Sequence, residues 1–335
     1  MLKSKWMGLG LALSLVGACS QQDNTISEEQ LAEQWQSQKV DNGMELNGMR
    51  VNGLRVNGLR VNGLRVNGTT VEGTLGDTEL TVSGADLNNS DIDSENEGGD
   101  VVPLKIASVF YSPAAGKNLY NVKHYNEDTA TWEWVCGTDS YDNPIAAMPM
   151  RKSWNLLSGV NVDDPDRWTM SCVNAALGKC AMWGYQPYTQ NYSETLSGET
   201  RARDLALSHQ TCQRLVRADY CGDGIGHTKN GTPIDVYDTY GVMTPDNLAE
   251  NSLEADWRAD GAHCIRHTRW VTADPALTGG LTDLAYIQAN CPSRLAANDP
   301  SCNNDSLSSF HQVNGFSLTD QTQRNLLRAQ SFQHN

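Results

Sequence analysis

The sequence lacks the long apolar runs of a membrane-spanning chain. Its one sustained hydrophobic stretch, residues 6–16, falls well short of the roughly twenty residues a helix needs to cross a bilayer. Basic residues are in deficit: 25 Lys and Arg stand against 40 Asp and Glu, for a formal charge of −15. A polyanion of this kind is repelled by nucleic acid and by anionic headgroups, so neither is expected as a partner. No CxxC pair occurs, which argues against a thioredoxin-like redox centre and a zinc ribbon. The GxSxG elbow and the HExxH helix are also missing, which removes two familiar hydrolase arrangements. No cofactor is expected.

What is present begins at the N-terminus. Two lysines, Lys3 and Lys5, precede the apolar stretch, and Val16-Gly17-Ala18 places small residues directly before Cys19. Basic, apolar and small segments in that order read as a secretory signal, residues 1–18. The pattern ending in Cys19 resembles the lipobox of bacterial lipoproteins, which implies acylation of Cys19 and a membrane contact through lipid. Ser20 in place of Asp fits outer-membrane delivery in that resemblance. Residues 19–41 are polar and read as a tether. The other eight cysteines are Cys136, Cys172, Cys180, Cys212, Cys221, Cys264, Cys291 and Cys302. An even number in an exported chain predicts up to four disulfides, with 105 possible pairings. Cys291 with Cys302 is the expected pair, because they bracket a short polar loop.

Residues 44–71 carry a strict five-residue repeat, MELNG MRVNG LRVNG LRVNG LRVNG TTV. On a flat strand an odd period sends successive valines (Val51, Val56, Val61, Val66) to opposite faces. On an α-helix they form no stripe. A path that turns a corner at each Asn-Gly would point all of them inward. This resembles the pentapeptide-repeat β-solenoid, with Leu54 and Val56, Leu59 and Val61, and Leu64 and Val66 as inward pairs. Ala85-Asp-Leu-Asn-Asn and Ser90-Asp-Ile-Asp-Ser match that family's consensus as well. A flexible Gly-punctuated stalk is the competing reading for residues 42–94. An acidic Gly-rich hinge, 95–104, follows.

Beyond the hinge the expectation is an α+β fold: one β-rich, disulfide-containing globular domain over 105–271, with 272–335 its C-terminal extension. Residues 101–111, 119–125 and 131–136 alternate like half-buried strands. Residues 199–218 read as one prominent amphipathic helix, with Ala202, Leu205, His209, Cys212 and Val216 on a single stripe. His209 is expected as a hydrogen-bonded core histidine, and Cys212 as a disulfide partner. A final helix is expected over 317–330, anchored by Leu326 and Leu327.

The segment after the long helix reads Ala218-Asp219-Tyr220-Cys221, and 178–185, 235–238 and 260–269 add further blocks. Together they resemble the ADYC domain, a family of exported bacterial lipoproteins whose activity the resemblance does not supply. Three readings of the polar groups around the motif compete. In the first they are structural: Arg217 and Arg266 pair with Asp219 or Asp235, cysteines lock the loops, and the protein is a binding or scaffold module. In the second, His227 or His267 acts as a base oriented by Asp223 or Asp235, with Tyr220 as acid or oxyanion donor, in an exported hydrolase. In the third, Asp219, Asp223, Asp235 and Asp238 bind calcium, although the spacing is not that of an EF-hand. The first is the expectation, so an enzyme is disfavoured. The aromatics Trp183, Tyr185 and Tyr188, and likewise Trp132, Trp134 and Trp154, are either core or a stacking surface for a protein or glycan ligand.

Overall fold

The structure, a computed structural model, describes residues 40–41, 48–56, 59–67, 70–75, 81–95, 101–113, 115–150, 153–155, 158–162, 168–187, 192–196, 199–203, 205–238, 242–243, 252–298 and 327–334. Cys19, the signal segment, nearly all of the tether and Cys302 lie outside these.

Strand β1 (Val40–Asp41) comes first in the chain, followed by β2 (Gly48–Val56), β3 (Leu59–Asn67), β4 (Thr70–Leu75) and β5 (Thr81–Ser83). The repeat therefore pairs as antiparallel strands, where a solenoid would stack its faces as a parallel coil. The register explains how. Val56 pairs with Leu59, leaving only Asn57-Gly58 between them, and Asn-Gly is the strongest short hairpin signal. At the alternate Asn-Gly positions the register shifts instead, between Val51 and Gly53 and between Asn62 and Arg65. A bulge adds one residue to a strand and so cancels the reversal that an odd period imposes. The register also sets repeat arginines opposite carboxylate residues: Arg50 with Glu95, Arg55 with Asp91 and Arg65 with Glu72.

A 3₁₀ turn (Gly84–Leu87) leads into β6 (Ser90–Glu95), β7 (Val101–Ser112), β8 (Lys117–Asn126) and β9 (Thr131–Trp134). The expected hinge is thus partly strand, since β7 starts at Val101. β10 (Ala147–Met150), the short hairpin β11 (Ser153–Trp154) and β12 (Asn161–Val162), and β13 (Trp168–Cys172) follow. β13 pairs with β10 on one side and with β2 on the other, so β2, β6, β7, β8, β10 and β13 close into a six-stranded antiparallel ring. Alternation fills it: Ile92, Leu104, Ile106, Tyr120, Val122 and Met170 form its core together with Leu87 of the 3₁₀ turn.

Helix α1 (Ala176–Met182) covers the ring's outer wall, where its Leu177 and Ala181 pack with Leu119, Met148, Met150 and Trp154. Its other face, Ala176 and Cys180, belongs to a second core. A hairpin of β14 (Tyr192–Leu196) and β15 (Glu199–Arg203) intervenes before α2 (Leu205–Arg217). The helix expected from 199 thus begins at Leu205, because residues 199–203 pair with the preceding strand. α2 lies on an antiparallel sheet ordered β1, β16 (Pro233–Asp238), β19 (Leu327–Ser331), β17 (Ser252–Arg258) and β18 (Gly261–Ile265). Leu327 is part of a strand there, where a helix was expected, and β19 occupies the middle of the sheet. α3 (Asp283–Asn290) docks Ile287 into the same core.

Disulfides join Cys136 to Cys172, Cys180 to Cys212 and Cys221 to Cys291. Cys264 is disulfide-bonded as well, to a partner outside the described residues. The expected Cys291–Cys302 pair is corrected: docking of α3 brings Cys291 to a Cα–Cα distance of 5.6 Å from Cys221, 70 residues away in sequence. Spatial approach within the disulfide window outweighs nearness along the chain. These three crosslinks have sequence separations of 36, 32 and 70 residues, each worth about 4 kcal/mol in the chain-entropy account.

Gly178 of α1 lies against β13: a methyl group added there would stand 2.1 Å from the Cys172 carbonyl oxygen. Gly178→Ala forces α1 off the ring and is expected to cost about 1–3 kcal/mol, the usual range for overpacking, read as a lower denaturation midpoint.

Candidate functional site

The four signature residues form the end of α2. Ala218 takes a left-handed conformation, φ 51°, one residue past the helix. Its N–H donates to the Leu215 carbonyl at 3.0 Å, and the Asp219 N–H donates to the Arg214 carbonyl at 2.9 Å. These two bonds are a Schellman cap, with alanine where glycine is usual. The position is fully buried, so the methyl fills core space that glycine would leave empty.

The cap turns Asp219 back along the helix. Its Oδ2 accepts from Arg214 Nη1 and, at 3.1 Å, from the Gly224 N–H, with Arg217 Nη1 3.9 Å away. Arg217 Nη2 donates to the Gly224 carbonyl, and Arg214 Nη1 donates to the Ser158 carbonyl at 2.7 Å. Burial raises the Asp219 pKa, and the charges of Arg214 and Arg217 oppose that shift. Arg217 is lowered by its own burial, with Asp219 opposing. The group is a buried ionic knot that holds the loop to the helix.

Tyr220 points the opposite way, into the sheet. Its hydroxyl donates to Glu254 Oε1 at 3.0 Å and accepts from the Arg269 N–H at 2.8 Å. Arg269 grips Glu254 with Nε and Nη2 at 3.0 and 2.9 Å, and its Nη1 and Nη2 donate to the Val216 and Leu215 carbonyls at the end of α2. Burial, reinforced by the Glu254 charge, drives the Tyr220 hydroxyl well above its ordinary pKa. It stays protonated and acts as a donor. Cys221 completes the motif by crosslinking to Cys291. Gly222 follows at φ +74°, and a side chain there would stand 1.8 Å from the Asp260 carbonyl oxygen, so the loop closes only with glycine.

The residues proposed for chemistry are thus distributed. His227 is fully buried, with Nδ1 3.1 Å from Asp283 Oδ1, and its ring lies between Tyr220 and Tyr286 at 5.6 and 5.0 Å. Asp223 does not orient it. The Asp223 carboxylate accepts from the Tyr286 hydroxyl at 2.8 Å and from the Ile225 N–H at 3.0 Å. Burial and that bond raise Tyr286 to about 12. His267 lies apart, with Nε2 2.9 Å from the Ser252 hydroxyl. Asp238 accepts from the Tyr185 hydroxyl at 2.6 Å and from the Met243 N–H, while Asp235 sits in β16 opposite Gln330. Among the described residues no three His, Cys, Asp or Glu side chains stand close enough to share a metal ion, so the four aspartates do not converge on one.

Sequence reasoning missed Arg214, Glu254, Asp283 and Tyr286. Glu254 offered a faint signal, a charge between the apolar Leu253 and Ala255 of a strand. Thr282-Asp283 carried a helix start, and the Thr282 hydroxyl does accept from the Ala285 N–H at 3.2 Å. Neither signal names a partner.

The fold and site together define a disulfide-braced α+β protein whose signature segment is a buried polar knot. A family model described as the ADYC domain matches residues 84–271, more than half of the chain, and the protein belongs to that family. The matched span begins before the expected boundary at 105 and takes in β6 and β7 of the ring. Comparison with curated proteins and with solved structures gave no match.

Two measurements probe this packing. Asp219→Asn leaves two buried guanidinium groups without their carboxylate and should cost about 3–5 kcal/mol in chemical denaturation. His209 sits on the buried face of α2, with Nε2 2.9 Å from the Leu177 carbonyl oxygen, and burial lowers its pKa from 6.5 to about 4. Between those values the unfolded chain binds a proton that the folded chain refuses. Stability is therefore full above pH 6.5 and falls as pH drops towards 4, by about 3 kcal/mol for this group. His209→Gln should flatten that part of the pH–stability profile relative to the wild type.

Proposed function

We propose that the protein is a non-catalytic binding or scaffold module of the cell envelope, tethered by lipid at Cys19. Disulfides form and persist in oxidising compartments, which agrees with an exported protein. Among the described residues no helix is long and apolar enough to cross a membrane. The lipobox-like segment supplies the attachment in this reading, with outer-membrane delivery from Ser20.

The observation that carries the proposal is the burial of the signature's reactive groups. Asp219, Tyr220 and His227 are wholly enclosed, and each has a protein group beside it. The groups meet each other at ion-pair and hydrogen-bond distances, which suits rigidity better than turnover. The expected outcome is a mature chain that starts at an acylated Cys19, seen by intact mass, and no free thiol in the folded protein. A free low-pKa thiol or an unmodified Met1 start contradicts it.

A hydrolase is the second reading, and one observation favours it. The His227 Nδ1–Asp283 Oδ1 separation of 3.1 Å is that of an ion pair, and neither ring nitrogen of His227 has a hydrogen-bond partner among the described residues. Asp283 would take the role expected of Asp223. Ester turnover by the intact protein, lost in His227→Gln with folding retained, would select this reading; its absence across a panel of simple esters favours the binding module.

A further inference from the structure

One surface has no part in the packing described so far. β9 pairs with β8 and lies off the main path of its sheet. The register sets Trp134 opposite Lys123 and Trp132 opposite Tyr125, so these four share one face of the hairpin. Lys105 of β7 lies next to Lys123 in the adjoining register. This is the outer face of the ring. The inward positions of β7 and β8 are Leu104, Ile106, Tyr120 and Val122, all buried in its core, and Lys105, Lys123 and Tyr125 alternate with them.

The rings are half-buried against each other and against lysines, and among the described residues they belong to no apolar cluster. Tyr125 meets Trp132 edge-on at 5.5 Å. The Lys105 ammonium stands 4.7 Å from the Trp132 ring and the Lys123 ammonium 4.3 Å from Trp134. Lys105 also has Asp91 at 3.6 Å, while Lys123 makes no ion pair among the described residues. In a chain of net charge −15, Lys123 is thus an ammonium without an ion-pair partner among the described residues, set beside two flat indoles.

We propose that this hairpin face binds an acidic glycan chain, its sugar rings stacked on Trp132 and Trp134 and a carboxylate taken by Lys123. Indole faces offer broad, weakly hydrated surface to the axial C–H groups of a pyranose. Residues two apart on a strand stand about 7 Å from each other, within reach of neighbouring rings of one oligosaccharide. A surface cation–π contact is worth only about 0.5–1 kcal/mol, so the lysines leave the rings readily for an anion. A neutral sugar would gain the stacking without the charge, and an acidic peptide the charge without the stacking. The inference gives the binding-module reading a ligand class, and it rests on that reading.

The test is titration of the full-length mature protein with a galacturonate hexamer, followed by tryptophan fluorescence and calorimetry. Saturable binding is expected, weakened at least tenfold by Trp134→Ala, largely retained in Trp134→Phe, and losing salt dependence in Lys123→Gln. Far-UV circular dichroism checks that each variant folds. Equal affinity for cellohexaose, equal or tighter affinity for a glutamate hexamer, no saturable binding at millimolar hexamer, or affinity unchanged in Trp134→Ala each overturn the assignment. Such a failure leaves the thiol and N-terminal results untouched, so the two proposals fall separately.

Discussion

A carboxylate buried beside two guanidinium groups is the constraint around which this domain is organised. Asp219 can be buried as an ion only where Arg214 and Arg217 already stand, and they stand five and two residues back, in the last turns of α2. The Schellman cap at Ala218 reverses the chain so that the aspartate meets them. That reversal sends Tyr220 into the sheet and Cys221 towards α3. A charge that needs partners, a backbone that turns sharply and a crosslink that holds the turn are one device.

The second organising element is α1, which belongs to two cores. Leu177 and Ala181 close the outer wall of the ring, while Ala176 and Cys180 join the core under α2. Its close approach to β13 depends on Gly178, and Cys180 ties it to α2. The ring is closed by the five-residue repeat, because β2 bridges β6 and β13. The segment read as a solenoid or a stalk therefore supplies strands β2 and β6 to the wall of the ring, with β3, β4 and β5 continuing the sheet beyond it. Bulges at alternate Asn-Gly sites reconcile an odd period with strand alternation.

Much of the architecture was legible in the residues. Strands β7, β8 and β9 followed from alternation, the core of α2 from its apolar stripe, and His209 as a packed histidine from its place on that stripe. The ADYC block marked the segment that matters most. Less legible were the partners. Cys291 reads as the neighbour of Cys302, yet α3 carries it to Cys221. Asp223 reads as the orienter of His227, yet Asp283, 56 positions further on, occupies that place. Residues 199–203 look helical next to α2 but pair with β14, since a hairpin partner three to eleven residues away outweighs a weak helical pattern.

The sequence by itself determined the cysteine content that the disulfides draw on, the acidic charge balance and the family. All of these depend on residue type and local order, which are written directly in the chain. Tertiary structure alone decided which charges neutralise one another, which cysteines meet, and that Trp132 and Trp134 face outward beside Lys123. Those outcomes depend on distances between residues far apart in the chain, and distance is set by packing.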